Sequence, residues 1–134
     1  YWCILAAAAL PYLLTTIAKT GAPGYNNRNP RAWIAKQSDN YKVQRAHAAH
    51  LNAFEAFAPF AASVLMAQAA GVDPARIGML AIALVVRLSL AFVAFRVLHG
   101  AFYLADKPPL RSLSWLGGIV CVVWLMVAAA RHVA

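Results

Sequence analysis

The 134-residue sequence predicts an all-α membrane protein built as a four-transmembrane-helix bundle. Three observations carry that reading. The chain is 63% hydrophobic and 12% charged, with a mean hydropathy of +0.62; a soluble domain is roughly half apolar and about a quarter charged. A soluble globule of this size buries only about 68% of the surface its chain exposes, too little to hide so much apolar area. The apolar residues also fall into four long runs separated by Gly-, Pro- and Asn-rich stretches. Finally, the runs lack the in–out alternation of barrel strands, and in lipid a helix is the simplest way to satisfy every backbone group internally. The same composition excludes a disordered chain, a collagen-like chain and a disulfide scaffold.

The first span is expected over about 1–18. With no Met at position 1, its start is expected to be trimmed; it has no basic flank ahead of it and three more runs follow, so it reads as a span and not as a secretion signal. Gly21-Ala-Pro-Gly24 with Asn26, Asn27, Asn29 and Pro30 marks a loop. The second span is expected over about 43–70 and the third over about 75–104. Gly71-Val-Asp-Pro74 forms a turn between them, with Asp73 as N-cap and Pro74 at the first helical position. Asp106-Lys-Pro-Pro109 ends the third helix, and Ser112 or Ser114 is expected to cap a fourth over about 113–130. Pro11 and Pro59 fall inside spans, where neighbouring helices can satisfy the freed carbonyls. Thirty alanines favour close helix approach. Cys3 and Cys121 have no metal-ligand spacing and read as small buried hydrophobes; no metal site is expected.

The formal charge is +8, from 12 Lys and Arg against 4 Asp and Glu. These basic residues flank apolar runs and do not line a polar face, which points to an anionic lipid surface and not to nucleic acid. Lys19, Arg28, Arg31, Lys36, Lys42 and Arg45 lie in or beside the first loop, and Lys107 and Arg111 in the third; Arg76 and Arg131 lie opposite. The positive-inside rule places the first and third loops in the cytoplasm and both termini outside. The loop over 20–42 is long for a bundle, and either lids a site through Arg28, Arg31 and Lys36 or coats the lipid surface.

Ionisable residues inside spans are functional candidates by default. At 100° per residue, Arg45, Asn52 and Glu55 fall within about 80° of each other on the second helix, while His47 and His50 point elsewhere. On the third helix Arg96, His99 and Tyr103 share about 60°, and Arg87 points the opposite way, expected about one turn from the level of Glu55. Each has a plainer reading beside the functional one. Glu55 with Arg87 or Arg96 is also what a structural ion pair looks like. His99 can simply bond a backbone carbonyl, and His47 and His50 can sit at headgroup level. Tyr103 and Trp115 suit an aromatic belt, and Arg111 the positive-inside bias. Together the two stripes and Arg111-Ser112 converge on the cytoplasmic end. Guanidinium forks, one carboxylate, an amide and hydroxyl donors suit a small zwitterion with more carboxylates than amines, and a cation near its thiol would favour the thiolate. Glutathione fits that description.

The run from Arg45 through Ala49-His50, Asn52 and Glu55 to Pro59-Phe60 resembles the second-helix signature of the MAPEG family, the membrane-associated proteins of eicosanoid and glutathione metabolism. Arg96-x-x-His99-x-x-x-Tyr103, followed by Leu110-Arg111-Ser112, resembles the third-helix end and third loop of its prostaglandin E synthase branch. The resemblance spans nearly the whole chain. It implies homotrimers with sites between subunits, open to the cytoplasm, that bind glutathione. It assigns Arg45, Asn52, Glu55, Arg96, His99 and Tyr103 to the glutathione site or its support, and Arg111 and Ser112 to activation of the thiol. The Ala-rich, compact chain looks like a bacterial inner-membrane member. The function implied is a glutathione transferase or peroxidase acting on hydrophobic electrophiles or lipid peroxides. Ala48 and Leu51 stand where the synthase branch carries further arginines, which motivates the alternative of a non-catalytic lipid-binding scaffold. A transporter is the third reading, although the broken helices and inverted repeats of many transporters are not visible.

Overall fold

In the computed structural model the described residues are 1–72 and 79–133, with side chains described from 84 onward in the second part. Among them the regular elements are all helices: α1 (Trp2–Thr20), α2 (Pro30–Ala35), α3 (Tyr41–Ala69), α4 (Met79–Leu104) and α5 (Pro108–Val133). The expected roles of Asp73, Pro74 and Arg76 lie outside the described residues.

Four of the helices are long, and α1, the 84–104 portion of α4 and α5 are each long and apolar enough to cross a membrane. The 29 residues of α3 are long enough, but its first half carries Arg45, His47, His50, Asn52 and Glu55, which lower its hydropathy. Its buried positions still recur every three or four residues, from Val43, Ala46 and Ala49 through Ala53 to Phe60, Val64 and Ala67. That is the stripe of a helix packed along one side.

Packing follows from residue size. Lipid tails are as apolar as leucine, so helices associate in a bilayer by close van der Waals fit and not by escape from water. α1 packs on α3 and α5 on α4, and α3 joins the two pairs through contacts with both α4 and α5. Ala7, Ala18, Ala46, Ala49 and Ala53 are buried along α1 and α3. Phe60 of α3 stacks on Phe92 of α4 with ring centroids 3.9 Å apart, at the centre of a cluster that includes Val64, Cys121 and Leu125. Between α4 and α5, Gly117 leaves room for the Phe95 ring: a Cβ there would lie 2.6 Å from it, so the ring or the helices would have to shift. Cys121 is buried and Cys3 half-buried, both as free thiols.

The helix ends show where local chemistry acts. Asn40 caps α3 by accepting from the Val43 N–H, and Asn29 caps α2 by accepting from the Ala32 N–H. α3 closes in a Schellman motif: Val72 N–H donates to the Ala67 carbonyl and Gly71 N–H to that of Gln68, with Gly71 at φ +67°. α4 ends identically, with Lys107 N–H on the Phe102 carbonyl and Asp106 N–H on that of Tyr103, but the left-handed residue is Asp106, at φ +56°. The last helix begins five residues earlier than the apolar run predicts, with Pro108 in its first turn, where a missing N–H is harmless. Ser112 and Ser114 therefore lie inside α5 and do not cap it; Ser114 donates back to the Leu110 carbonyl instead.

The long first loop is partly structured. It contains α2, whose Trp33 is buried, and Gln44 of α3 donates to the carbonyls of Ile34 and Gln37. The end of α1, α2, the start of α3, the end of α4 and the start of α5 all gather at one end of the bundle. Eight of the 12 Lys and Arg residues, from Lys19 to Arg111, sit there.

Candidate functional site

The polar stripes of α3 and α4 meet beneath this basic end. Arg96 is buried, and its Nη2 donates to Oδ1 of Asn52 at 2.7 Å. Asn52 turns its amide nitrogen toward Glu55 Oε2 at 3.5 Å, a long contact. Arg96 thus reaches the carboxylate of Glu55 through an amide, in place of the direct ion pair that spacing alone allows. Gly118 of α5 lies against the Arg96 stem, where a Cβ would sit 3.7 Å from its Cδ. That is an ordinary contact distance, so α5 packs directly against the Arg96 side chain.

One turn toward the basic end, His99 is also buried and its Nδ1 lies 3.2 Å from the Arg111 carbonyl. A carbonyl only accepts, so Nδ1 carries the proton and a neutral ring keeps Nε2 as an acceptor. This is the plainer role foreseen for His99, and it anchors the first turn of α5 to α4. Tyr103 packs edge-on against the His99 ring at 5.3 Å, and the Arg111 guanidinium lies 4.4 Å over the Tyr103 ring. His99, Tyr103 and Arg111 therefore form one unit. Ser112 is exposed beside it.

At the mouth, Arg45 forms a 2.7 Å ion pair with Asp106, the left-handed residue after α4. Sequence reasoning assigned Asp106 only to a helix stop. The signal that would have found it is an acid just past the end of one span, level with an arginine at the start of another. The polar strip so runs from Arg45 and Asp106 to Glu55, roughly 15 Å along α3 at 1.5 Å per residue.

Three buried polar atoms along this strip have no hydrogen-bond partner among the described residues: Nε of Arg45, Nε of Arg96 and Nε2 of His99. Buried polar groups are overwhelmingly hydrogen-bonded, so each of these three atoms calls for a partner such as a water or a ligand group. Glu55 adds to this. It is exposed on the bundle surface beside Leu51 and Phe54, although it lies on the polar strip.

Other expected residues lie elsewhere. Arg87 is exposed on the opposite side of α4. The pairing of Asn52 with Arg96 and of Phe60 with Phe92 places it roughly 9–15 Å beyond the level of Glu55, not one turn away. Helical side chains also lean toward their own N-terminus, so in antiparallel helices these two diverge. His47 and His50 lie on the flank of α3 facing α1 and α2; His50 bonds the Pro11 carbonyl at 2.8 Å and stacks on His47. Of the loop residues, Arg31 sits on that second flank, while Lys36 lines a shallow depression of about 550 Å³ with Arg45.

The fold and strip define an integral, all-α membrane protein with a basic polar site at one end of its bundle. The sequence model of the MAPEG family matches residues 1–131, and the chain belongs to that family. No curated protein and no solved structure matches the chain.

Proposed function

We propose that the protein is a bacterial inner-membrane glutathione transferase or peroxidase that activates the glutathione thiol for attack on hydrophobic electrophiles or lipid peroxides. The observation that carries this reading is the strip of unpartnered buried atoms on Arg45, Arg96 and His99, joined to Asn52, Glu55, Tyr103 and Arg111. These residues fit the tripeptide. Arg96 and Arg45 each offer an N–H to a carboxylate, Asn52 suits a peptide group, and Glu55 suits the ammonium. His99 Nε2 offers an acceptor to an amide N–H. Arg111, with Ser112 at the mouth, supplies the positive field that turns a thiol of pKa about 8.5 into a thiolate near neutral pH. In conjugation, the thiolate sulfur bonds to the electrophilic carbon and the leaving group departs with the electron pair. The chain contributes pKa lowering and positioning, and no further acid–base group is needed.

The exposed Glu55 and Arg87 support a homotrimer with the site at the subunit seam, because a charge left facing acyl chains is costly. The basic end is then cytoplasmic and both termini are periplasmic, as the charge bias requires. Leu51, half exposed beside Glu55 where a cation would strengthen carboxylate binding, favours the second reading, a non-catalytic lipid-binding scaffold.

Calorimetric titration of the detergent-purified protein with glutathione tests binding; no heat and no competition at millimolar ligand overturns the proposal. Turnover with a chlorodinitrobenzene-type acceptor, lost in Arg111→Ala, excludes the scaffold reading. Saturable fatty-acid binding without turnover establishes it.

A further inference from the structure

Asp106 breaks a local rule at the mouth of the polar strip. α3 and α4 close in the same Schellman turn, but the left-handed position is Gly71 after α3, at φ +67°, and Asp106 after α4, at φ +56°. A side chain in that conformation costs backbone energy that glycine avoids. The carboxylate returns little of it through its ion pair, because it is 67% exposed and exposed pairs are weak. Stability therefore does not explain an aspartate at this position, and backbone strain of this kind gathers at functional sites.

Acids are also scarce. The chain has four Asp and Glu residues for 12 Lys and Arg. Among the described residues, Asp106 is the one acid in an ion pair, and its partner is Arg45, an arginine of the strip.

The pair is asymmetric. Arg45 is 28% exposed against 67% for Asp106, and its Nη1 meets the acid at 2.7 Å. Its Nε is buried, with no hydrogen-bond partner among the described residues. The acid thus lies outward of the arginine and grips its tip, and does not plug the strip. The grip is fixed on the Asp106 side. Asp106 N–H donates to the Tyr103 carbonyl and Lys107 N–H to that of Phe102, so the turn is bonded back into α4.

Without this grip Arg45 has another place to go. It lines the depression of about 550 Å³ at the basic end together with Lys36, Asp39 and Lys42. A long cationic side chain at that level turns toward water and anionic headgroups. Ordering it again for a ligand costs side-chain freedom, and a partner that fixes it beforehand removes that cost.

We propose that Asp106 is a positioning residue of the glutathione site: it holds Arg45 along the strip, so that a ligand carboxylate meets an arginine already ordered. The inference rests on the glutathione reading and adds to it a residue that touches no ligand. It carries a sign of its own. By charge alone, removing an acid from a basic mouth strengthens the binding of an anion. By positioning, the same removal weakens it.

Asp106→Asn is the informative variant, because asparagine keeps the size and the tolerance for left-handed backbone and loses only the charge. Calorimetric titration with glutathione of the detergent-purified wild type, Asp106→Asn, Arg45→Gln and the double variant closes a cycle. Asp106→Asn is expected to lower affinity about 3- to 10-fold, the cost of ordering one long side chain. Arg45→Gln lowers it about 10-fold, for one hydrogen bond to a charged group, and the double variant lowers it no further than Arg45→Gln. A second measurement needs no glutathione. In protein with isotope-labelled arginine, the magnetic resonance signal of the Arg45 Nε–H is assigned by its absence in Arg45→Gln. It is expected in the wild type and lost to water exchange in Asp106→Asn.

Tighter or unchanged binding in Asp106→Asn overturns the proposal. So do additive losses in the double variant, an Arg45 signal that survives the substitution, or a fall in thermal midpoint that accounts for the lost affinity, which would make Asp106 merely structural. Any of these with a wild type that binds glutathione overturns this proposal alone. A wild type that gives no heat with glutathione overturns the glutathione reading, and this proposal with it.

Discussion

The two flanks of α3 are built from the same kinds of residue and end in opposite states. Toward α4 and α5, cations are drawn into contact: Arg96 with Asn52 and Glu55, Arg45 with Asp106, and Arg111 with Tyr103. Toward α1 and α2, Lys19 and Arg31 border a cavity without an acid. Neighbours explain the difference. The first flank carries its own amide, Asn52, and faces two helices whose ends bring a phenol ring and an aspartate within reach. The second faces an apolar span and a short helix that bring no acidic side chain. A polar stripe on a spanning helix is therefore not one functional unit, and the packing partner decides what each side of it can hold.

Arg96→Leu gives the largest expected effect. It keeps most of the apolar stem and removes the bond to Asn52, leaving Asn52 and Glu55 without their cation. Glutathione affinity should fall about 100-fold, the lower part of the range for truncating one member of a buried charged pair. Calorimetric titration measures it, and an unchanged affinity would remove Arg96 from the site.

Gly117→Ala comes next. The added Cβ meets the Phe95 ring and displaces either the ring or α5, at about 1–3 kcal/mol for an overpacked interface. The thermal midpoint in detergent should drop, with glutathione binding weakened further because Arg96 rides on the same helix pair. An unchanged midpoint would show that the Phe95 ring moves aside freely.

His50→Leu removes the bond to Pro11 that ties α1 to α3. A single hydrogen bond of this kind is worth about 1 kcal/mol, so a small fall in thermal midpoint is expected. This substitution should act on the second flank alone, sparing glutathione affinity.

Asp106→Gly is expected to do least. It relieves a left-handed non-glycine residue, a gain of about 1 kcal/mol, and loses a largely exposed ion pair worth a few tenths to about 1 kcal/mol. Stability should hold within a few tenths of a kcal/mol by the same thermal measurement. The released Arg45 then makes any change in glutathione affinity a direct report on its role in the site.

Much of the helical framework was legible before folding. Apolar run length placed the ends of α1 and α3 within about two residues, because span length is set by bilayer thickness and not by partners. Helical periodicity grouped Arg45, Asn52 and Glu55, and separately Arg96, His99 and Tyr103, because 100° per residue fixes a face. The start of α5 was missed, because Pro108 and Pro109 read as breakers although the first turn tolerates them. Asp106 was missed as an ion-pair partner, and the depth of Arg87 relative to Glu55 was misjudged. Both depend on register between helices, which no single-helix pattern contains.

The sequence by itself determined that the chain lives in a bilayer, that it is helical, and which polar residues share a side of each helix. These follow from composition and from the geometry of one helix in isolation. Only the tertiary structure decided that Arg96 meets Asn52 and not Glu55 directly, that His99 serves the Arg111 backbone, and that α2 closes a basic cavity over His47 and His50. Those outcomes turn on distances of a few ångströms between helices, set by small residues such as Gly117 and by the turn chemistry at Asp106.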